Sequence, residues 1–588
     1  IVPTAHLEHR CMTLRFQSIY DIAALCAKKG LTQAVLCPGS RCAPLTLAFT
    51  RHPQISCKTI SDERSAGFIA LGISQQTKQP TILLCTSGTA AYNFAPSVAE
   101  AYFSKRPLIV FTADRPLEWV GQQDGQTIYQ TEIFGKHVKK TFQLPQEYDH
   151  PDNGWAINRI VNEAINLSRQ EPPGPVHINA PFREPLYPRA NETFAFSDSI
   201  RVMEEFPSSF ELDDQQKHSI KKEWTDYNNI LLVAGQLDAE DPLVNSLANF
   251  FRNHNIPIVG DIISNLHPIE RVIRHADLFL GNCPSEILKT LKPDLLITFG
   301  HSTISKNLKL FLRKHRPLAH WHIQASGEVA DTFQSITKVI RATPTSFFVF
   351  LSSIPTIENF ENQKQINYSK LWEVEERRAV RSVEDYFPQQ EFGEIELVKE
   401  VFKSLPSGCK LHLANSMSVR YANFIGITSQ HHSIQVFANR GTSGIDGCTS
   451  TTIGHCFASD VPNILITGDL AFFYDRNAFW HNYLIPNLRI VLLNNHGGII
   501  FKMIDGPGDT AEADEYFITR QNLTAKHLCA EFGIAHLKAD HKRKLKNLLK
   551  DFFEMDGTPK ILELESDLAL NQMIFENLKQ KIKKSYEL

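Results

Sequence analysis

Two runs toward the C-terminal end, ILITGDLAFFYDRNAF (464–479) and RIVLLNNHGGIIF (489–501), decide how the chain is organised. Each holds a short apolar stretch, Ile464–Thr467 and Ile490–Leu493, that breaks straight into turn residues. Apolar strands that alternate with helical patterns in this way read as βαβ units around buried parallel sheets. Ligands of such sheets collect beyond the carboxyl ends of the strands. Gly468-Asp469 and Asn494-Asn495-His496-Gly497-Gly498 fall there, with Asn495 standing 26 positions after Asp469. One carboxylate and one carboxamide on consecutive strand ends, with the backbone carbonyl of Gly497, suit Mg²⁺ or Mn²⁺. Such an ion keeps its other positions for phosphate oxygens and water. The glycines let backbone N–H groups approach a diphosphate at a helix start. Either turn alone is ordinary turn chemistry. The pair at this spacing points to a ligand site.

The same rhythm runs outward from these strands. Ala34–Cys37, Thr81–Cys85 and Leu108–Phe111 form one set, and Ile230–Val233, Leu278–Leu280 and Leu295–Phe299 a second. Lys410–Leu413 and Gln435–Phe437 complete the third. Two polar stretches, 191–225 and 352–368, read as linkers. The expectation is an α/β protein of three consecutive units with mostly parallel sheets, bounded at 1–190, 191–365 and 366–588.

Composition narrows the function. Of the 588 residues 42% are hydrophobic and 21% charged, which excludes global disorder and fibrous repeats. Lys+Arg at 61 against Asp+Glu at 64 gives a net charge of −3, arguing against a nucleic-acid partner. The 11 cysteines contain no C-x-x-C pair and read as reduced, buried thiols. No apolar run approaches the about 18 residues of a membrane span. The first residues lack the apolar core of a signal peptide, and Met12 opens a more natural start than Ile1, with 1–11 as upstream sequence. A cytoplasmic protein is expected. No G-x-G-x-x-G follows Ile230–Val233, no phosphate-loop motif occurs, and the 23 histidines show no metal-ligand spacing. A flavin or nucleotide is therefore not expected in the middle unit.

Gly-Asp followed at this distance by Asn-Asn resembles the metal and diphosphate signature of thiamine diphosphate (ThDP) enzymes. That cofactor needs a glutamate at its aminopyrimidine, and a desolvated carboxyl serves best. Glu63, in SDERSAGF (61–68), is the candidate. It precedes Ala66, Gly67, Ala70 and Gly72, small residues that permit close helix packing. The plainer role is a first-turn glutamate complementing the helix dipole. PGSRCAPL (38–45), SDERSAGF, TSGTAAYN (86–93) and TADRP (112–116) resemble one branch of these enzymes. So do ANSMSVR (414–420), ANRGTSGIDG (438–447), GDLAFFYDRNAF (468–479) and NNHGGIIF (494–501). The branch is the 2-succinyl-5-enolpyruvyl-6-hydroxy-3-cyclohexene-1-carboxylate synthase family. The likeness is close in both outer units and loose in the middle one.

The resemblance implies pyrimidine-binding, middle and diphosphate-binding domains in that order. It also implies decarboxylation of 2-oxoglutarate and addition of the resulting carbanion equivalent to isochorismate, a step of menaquinone biosynthesis. Both substrates carry two carboxylates, which guanidinium groups clamp well. Arg41, Arg115, Arg420 and Arg440 stand at strand-end turns and would hold them, although any one alone passes as a solvated loop arginine. By the same resemblance Ser40 and Gln126 line the substrate pocket, and Glu63, Arg41 and Gln126 form the catalytic group. Ser416, Ile445 and Leu470 meet the cofactor, with Ile445 beneath the thiazolium. Ile500 and Phe501 shelter the reacting carbon, and Lys306 reaches toward a carboxylate. Gly125 and Asn307 depart from the pattern, replacing a usual Asn and a usual Arg. A homodimer is the minimal assembly, with Glu63 of one chain serving its neighbour's diphosphate site, and a homotetramer is expected. The alternatives are another ThDP-dependent 2-oxo acid decarboxylase, an acetolactate-type synthase, or a non-catalytic α/β binding scaffold.

Overall fold

A computed structural model describes residues 16–148, 150–188, 195–354, 360–387, 392–503, 508 and 510–587. Positions 1–11, read above as upstream sequence, lie outside the described residues. The fold divides into two compact units, one up to Pro207 and one from Ser208 onward.

The first unit holds one six-stranded sheet: β1 (Gln33–Leu36), β2 (Ser56–Thr59), β3 (Thr81–Cys85), β4 (Leu108–Asp114), β5 (Thr141–Gln143) and β6 (Val176–Pro181). Their order is β2-β1-β3-β4-β6-β5, and every pairing is parallel. The second unit holds two sheets. One contains β7 (Ile230–Ala234), β8 (Ile258–Gly260), β9 (Val272–Ile273), β10 (Leu295–Phe299), β11 (Ala319–Ile323) and β12 (Lys338–Ile340). The other contains β13 (Lys410–Leu413), β14 (Gln435–Phe437), β15 (Asn463–Gly468), β16 (Leu488–Asn494), β17 (Ala535–Lys538) and β18 (Lys560–Glu565). Its order, β14-β13-β15-β16-β18-β17, repeats that of the first sheet, whereas the middle sheet runs β12-β11-β10-β7-β8-β9. Read from β9, the middle order is 3-2-1-4-5-6, the winding of dinucleotide-binding folds. Among the described residues no helix is long and apolar enough to cross a membrane. The ten described cysteines are free, and most are buried.

Three expectations are corrected. Leu278–Leu280 is the end of a short helix, Ala276–Leu280, not a strand. A run of Leu-Phe-Leu without β-branched residues carries little strand preference. The stretch 352–368 is not simply a linker, because a 27-residue helix, Phe360–Tyr386, begins within it. Tyr368, Trp372, Ala379, Val383 and Tyr386 recur at helical spacing and are buried, a period that outweighs the polar composition. Residues 355–359 of that stretch lie outside the described residues, as do 191–194 of the other. Within 191–225 the helix Asp214–Trp224 starts on a capping box of Asp213 and Gln216 and buries Ile220 and Trp224.

Small residues set the packing under Glu63 as expected. The helix Glu63–Thr77 lies against the helix Ala95–Phe103, and a Cβ at Gly67 would stand 2.0 Å from Ser97 Oγ. Gly67→Ala is therefore expected to destabilise the first unit by about 1–3 kcal/mol. Chemical unfolding checks this, and pairing it with Ser97→Ala should recover part of the loss.

Each sheet also carries a buried histidine on a strand. His177 shares a 2.7 Å hydrogen bond with Thr112, His320 one of 2.8 Å with Thr298, and His412 one of 2.9 Å with Asn463. Burial holds these rings neutral, at about 3 for His177 and about 4 for the other two. The unfolded chain takes up their protons below about 6.5, so stability is full above that pH and falls as pH drops toward 4. Each ring removes up to about 1.4 kcal/mol per pH unit in that window. Urea midpoints at pH 7.5 and 5.0 should differ clearly, and a flat profile counts against neutral rings.

Candidate active site

The β15–β16 register pairs Gly468 with Leu493, so the two turns after these strands emerge side by side. Strand order reverses next to them, between β13 and β15, which is where such sheets open a crevice. Asp469 opens the helix Asp469–Tyr474 and is 2% exposed. Its Oδ1 accepts from Leu470 N at 2.8 Å and its Oδ2 from Gln521 Nε2 at 2.8 Å. Burial pushes its carboxyl above the ordinary value, against those bonds and another from the Gly497 N–H. Asp469 and the Asn-Asn-His-Gly-Gly turn thus meet. Asn495 is 4% exposed, donates Nδ2 to Glu394 Oε1 at 2.8 Å, and leaves Oδ1 buried without a hydrogen-bond partner. A buried amide oxygen without a donor is costly unless something else ligates it. Gly497 admits no side chain, since a Cβ would stand 2.7 Å from Ile518 Cγ2 and 3.0 Å from its carbonyl oxygen. The donors available, carboxylate, amide oxygen and backbone carbonyl, fit a hard divalent cation.

Glu394 is a residue that motif reading missed. It opens the helix Glu394–Lys403, is 1% exposed, and burial pushes it up to about 7. Its partner lies 101 positions away, so no local spacing could reveal the pair. Gln521 was missed for the same reason; it bridges Asp469 and Asn494.

The loop after β13 carries Ser416 in a strained backbone conformation, φ 71° and ψ −131°, at the start of the helix Met417–Ile425. Arg420, one turn on, donates to the Ser416 carbonyl at 2.5 Å. Arg440, after β14, donates to Asn415 Oδ1 at 2.9 Å, while Asn415 Nδ2 holds Asn439 O at 2.8 Å and Gly444 O at 2.6 Å. Asn415 thereby pins the loop that bears the half-buried Ile445. Burial, then the charge of Arg440, lowers the Arg420 guanidinium from its ordinary value, so the two arginines share one neighbourhood. Lys306 is exposed and is not brought to this group. Lys309, one turn further along the helix Lys306–Lys314, is: it donates to Thr303 O at 2.7 Å, and burial, then Arg440, lowers its ammonium. Asn307 turns away, donating Nδ2 to Asp277 O at 2.8 Å. Ile500 and Phe501 begin the short helix Ile500–Met503, half-buried, with the Phe501 ring 5.9 Å from that of Phe517.

In the first unit Glu63 is the first residue of its helix, with Asp62 capping the Arg64 and Ser65 N–H groups. Its carboxyl is half-buried and accepts from Asn93 Nδ2 at 3.1 Å, which ties SDERSAGF to TSGTAAYN. Arg41 is 5% exposed and donates to Phe182 O at 2.9 Å and Glu184 Oε1 at 3.1 Å. Arg115 lies 3.6 Å from Asp124 and 3.9 Å from Glu184. The two arginines thus converge, but on Glu184, an acid not anticipated from the sequence. Ser40 Oγ lies 3.3 Å from the Tyr187 hydroxyl. Gln126 is exposed with φ 59°, its backbone against Gly88 of the TSG turn. Gly125 has open space around its missing Cβ, so the departure from Asn removes a side chain without a packing reason.

Residues 20–137 match the family described as thiamine pyrophosphate enzyme, N-terminal TPP binding domain, and residues 207–413 match the middle domain of thiamine pyrophosphate. A 2-succinyl-5-enolpyruvyl-6-hydroxy-3-cyclohexene-1-carboxylate synthase of Cytophaga hutchinsonii is 45% identical, over 97% of this chain and 100% of its own length. The chain belongs to this synthase family. Synthases of the same name from Flavobacterium johnsoniae (37% identical, 95% of this chain, 97% of theirs) and Bacteroides thetaiotaomicron (35%, 96% and 99%) agree. Membership of the synthase family makes the protein a ThDP-dependent transferase of menaquinone biosynthesis with the α/β architecture described above.

Proposed function

We propose that the chain joins 2-oxoglutarate to isochorismate with loss of CO₂, giving 2-succinyl-5-enolpyruvyl-6-hydroxy-3-cyclohexene-1-carboxylate, with ThDP and Mg²⁺ or Mn²⁺. The observation that carries the reading is the meeting of Asp469, Gly497 and the partnerless Asn495 Oδ1 at one sheet edge. Bound ThDP supplies the electron sink for decarboxylation and carbon–carbon bond formation. Asp469, Asn495 and the Gly497 carbonyl would hold the metal, and Leu470, Ser416 and Ile445 would border the cofactor. Glu63 would move a proton at the aminopyrimidine nitrogen. Arg420 and Arg440 would clamp substrate carboxylates, with the half-buried Lys309 adding charge in place of the exposed Lys306, as would Arg41 and Arg115 once Glu184 yields to substrate. Ser40 and Gln126 would orient the substrates, and Ile500 and Phe501 would keep water from the reacting carbon.

In this reading the chain works in the cytoplasm as a homodimer at least, and as a homotetramer in full. Segments 1–190, 191–365 and 366–588 serve as pyrimidine, middle and diphosphate domains. The test is an assay with 2-oxoglutarate, isochorismate, ThDP and Mg²⁺. The adduct is expected as the main product. Release of succinic semialdehyde alone, with isochorismate untouched, would replace this reading with that of a simple 2-oxo acid decarboxylase.

A further inference from the structure

The amide of Asn495 can offer a metal only its oxygen, and something must decide which end of the amide faces the site. Its Nδ2 points at Glu394 Oε1, 2.8 Å away, and its Oδ1 is the atom left buried without a hydrogen-bond partner. Glu394 has little freedom of its own. Its backbone N–H donates to Asn571 Oδ1 at 2.9 Å, and Asn571 Nδ2 in turn holds Ser566 Oγ at 2.7 Å and Asp567 O at 3.0 Å. A Cβ on the preceding Gly393 would stand 2.6 Å from Ile574 and 2.8 Å from Asn571, so the helix start is seated tightly. The Tyr421 hydroxyl faces the same carboxyl. Because Glu394 Oε1 accepts from Nδ2, the pairing takes up the N–H end of the amide and leaves its oxygen for the site.

We infer that Glu394 is a positioning residue that locks the Asn495 carboxamide with its oxygen toward the divalent cation. The inference rests on the metal reading of Asp469, Asn495 and Gly497 given above. Partners that orient a metal ligand typically contribute 10–100-fold in affinity.

The test is Mn²⁺ binding in the presence of ThDP, followed by the electron paramagnetic resonance signal of the free ion. Glu394→Leu is expected to weaken Mn²⁺ binding by about 10–100-fold. Glu394→Gln keeps an acceptor for Asn495 Nδ2 and is expected to stay within about threefold of the parent. In an Asn495→Asp background either oxygen can ligate, so adding Glu394→Leu is expected to cost less than about threefold. An equal loss in both backgrounds would mean that Glu394 supports the fold and not the amide's orientation, which overturns the inference. Parent-like Mn²⁺ binding by Glu394→Leu overturns it too. If the leucine variant does not fold, Glu394→Gln decides in its place, because a tenfold or larger loss from it in the Asn495→Asp background as well as in the parent contradicts orientation by hydrogen bonding. Asn495→Ala separates the two levels: if it binds Mn²⁺ like the parent, the metal reading itself fails.

Discussion

Asp469→Ala is expected to lower kcat/KM by at least about 10³-fold, some 4 kcal/mol of lost transition-state stabilisation. Asp469 is the one carboxylate assigned to the cation, and without it the diphosphate has only the Asn495 oxygen and the Gly497 carbonyl to share a metal with. The loss should be traceable to binding. A ligand at 100 times its Kd stabilises the fold by about 2.7 kcal/mol, so ThDP with Mg²⁺ should raise the melting temperature of the parent and leave the variant unmoved. The unliganded variant should melt no lower than the parent. Burial raises the Asp469 carboxyl above its ordinary value, so at neutral pH that charge opposes folding and its removal relieves the cost. A variant that keeps metal-dependent stabilisation would contradict the assignment of Asp469.

Glu63→Gln is expected to cut kcat by about 10²–10⁴-fold while ThDP and Mg²⁺ binding persists. Glutamine matches the shape of glutamate and can still accept from Asn93 Nδ2, so the helix start and its Asp62 cap are undisturbed. What disappears is the ability to take and return a proton. A purely structural first-turn glutamate would behave otherwise, since loss of its dipole term is worth only about 0.3–1 kcal/mol of stability. Parallel measurement of kcat and of thermal midpoint separates the two roles. A parent-like rate ends the catalytic assignment.

Much of the architecture can be read from residue order because central parallel strands are apolar on both faces. β3, β10, β15 and β16 therefore stand out as runs of Leu, Ile and Val. The strands that escape notice are short or mixed, such as β5 with Thr-Phe-Gln and β17 with Ala-His-Leu-Lys. Their polar residues follow from lying at sheet edges, where one flank has no neighbour. The turn residues of the site announce themselves for a related reason: Gly-Asp and Asn-Asn-His-Gly-Gly break an apolar strand where helix or coil must begin. Glu394, Gln521, Lys309 and Glu184 carry no such mark. Each is marked out only by a contact made by the fold, and Lys309 is told from Lys306 only by which side of a helix is covered. Asn307 illustrates the converse. Its departure from arginine looks like a lost charge, yet its side chain is engaged with Asp277 in packing two helices.

The first and last sheets wind their strands in the same sequence although their residues share no visible repeat. The first carries Glu63 just beyond its second strand, and the last carries Asp469 and Asn495 just beyond its third and fourth. Under the proposed function neither sheet holds a full set of working groups, so a change that disables either one should silence both.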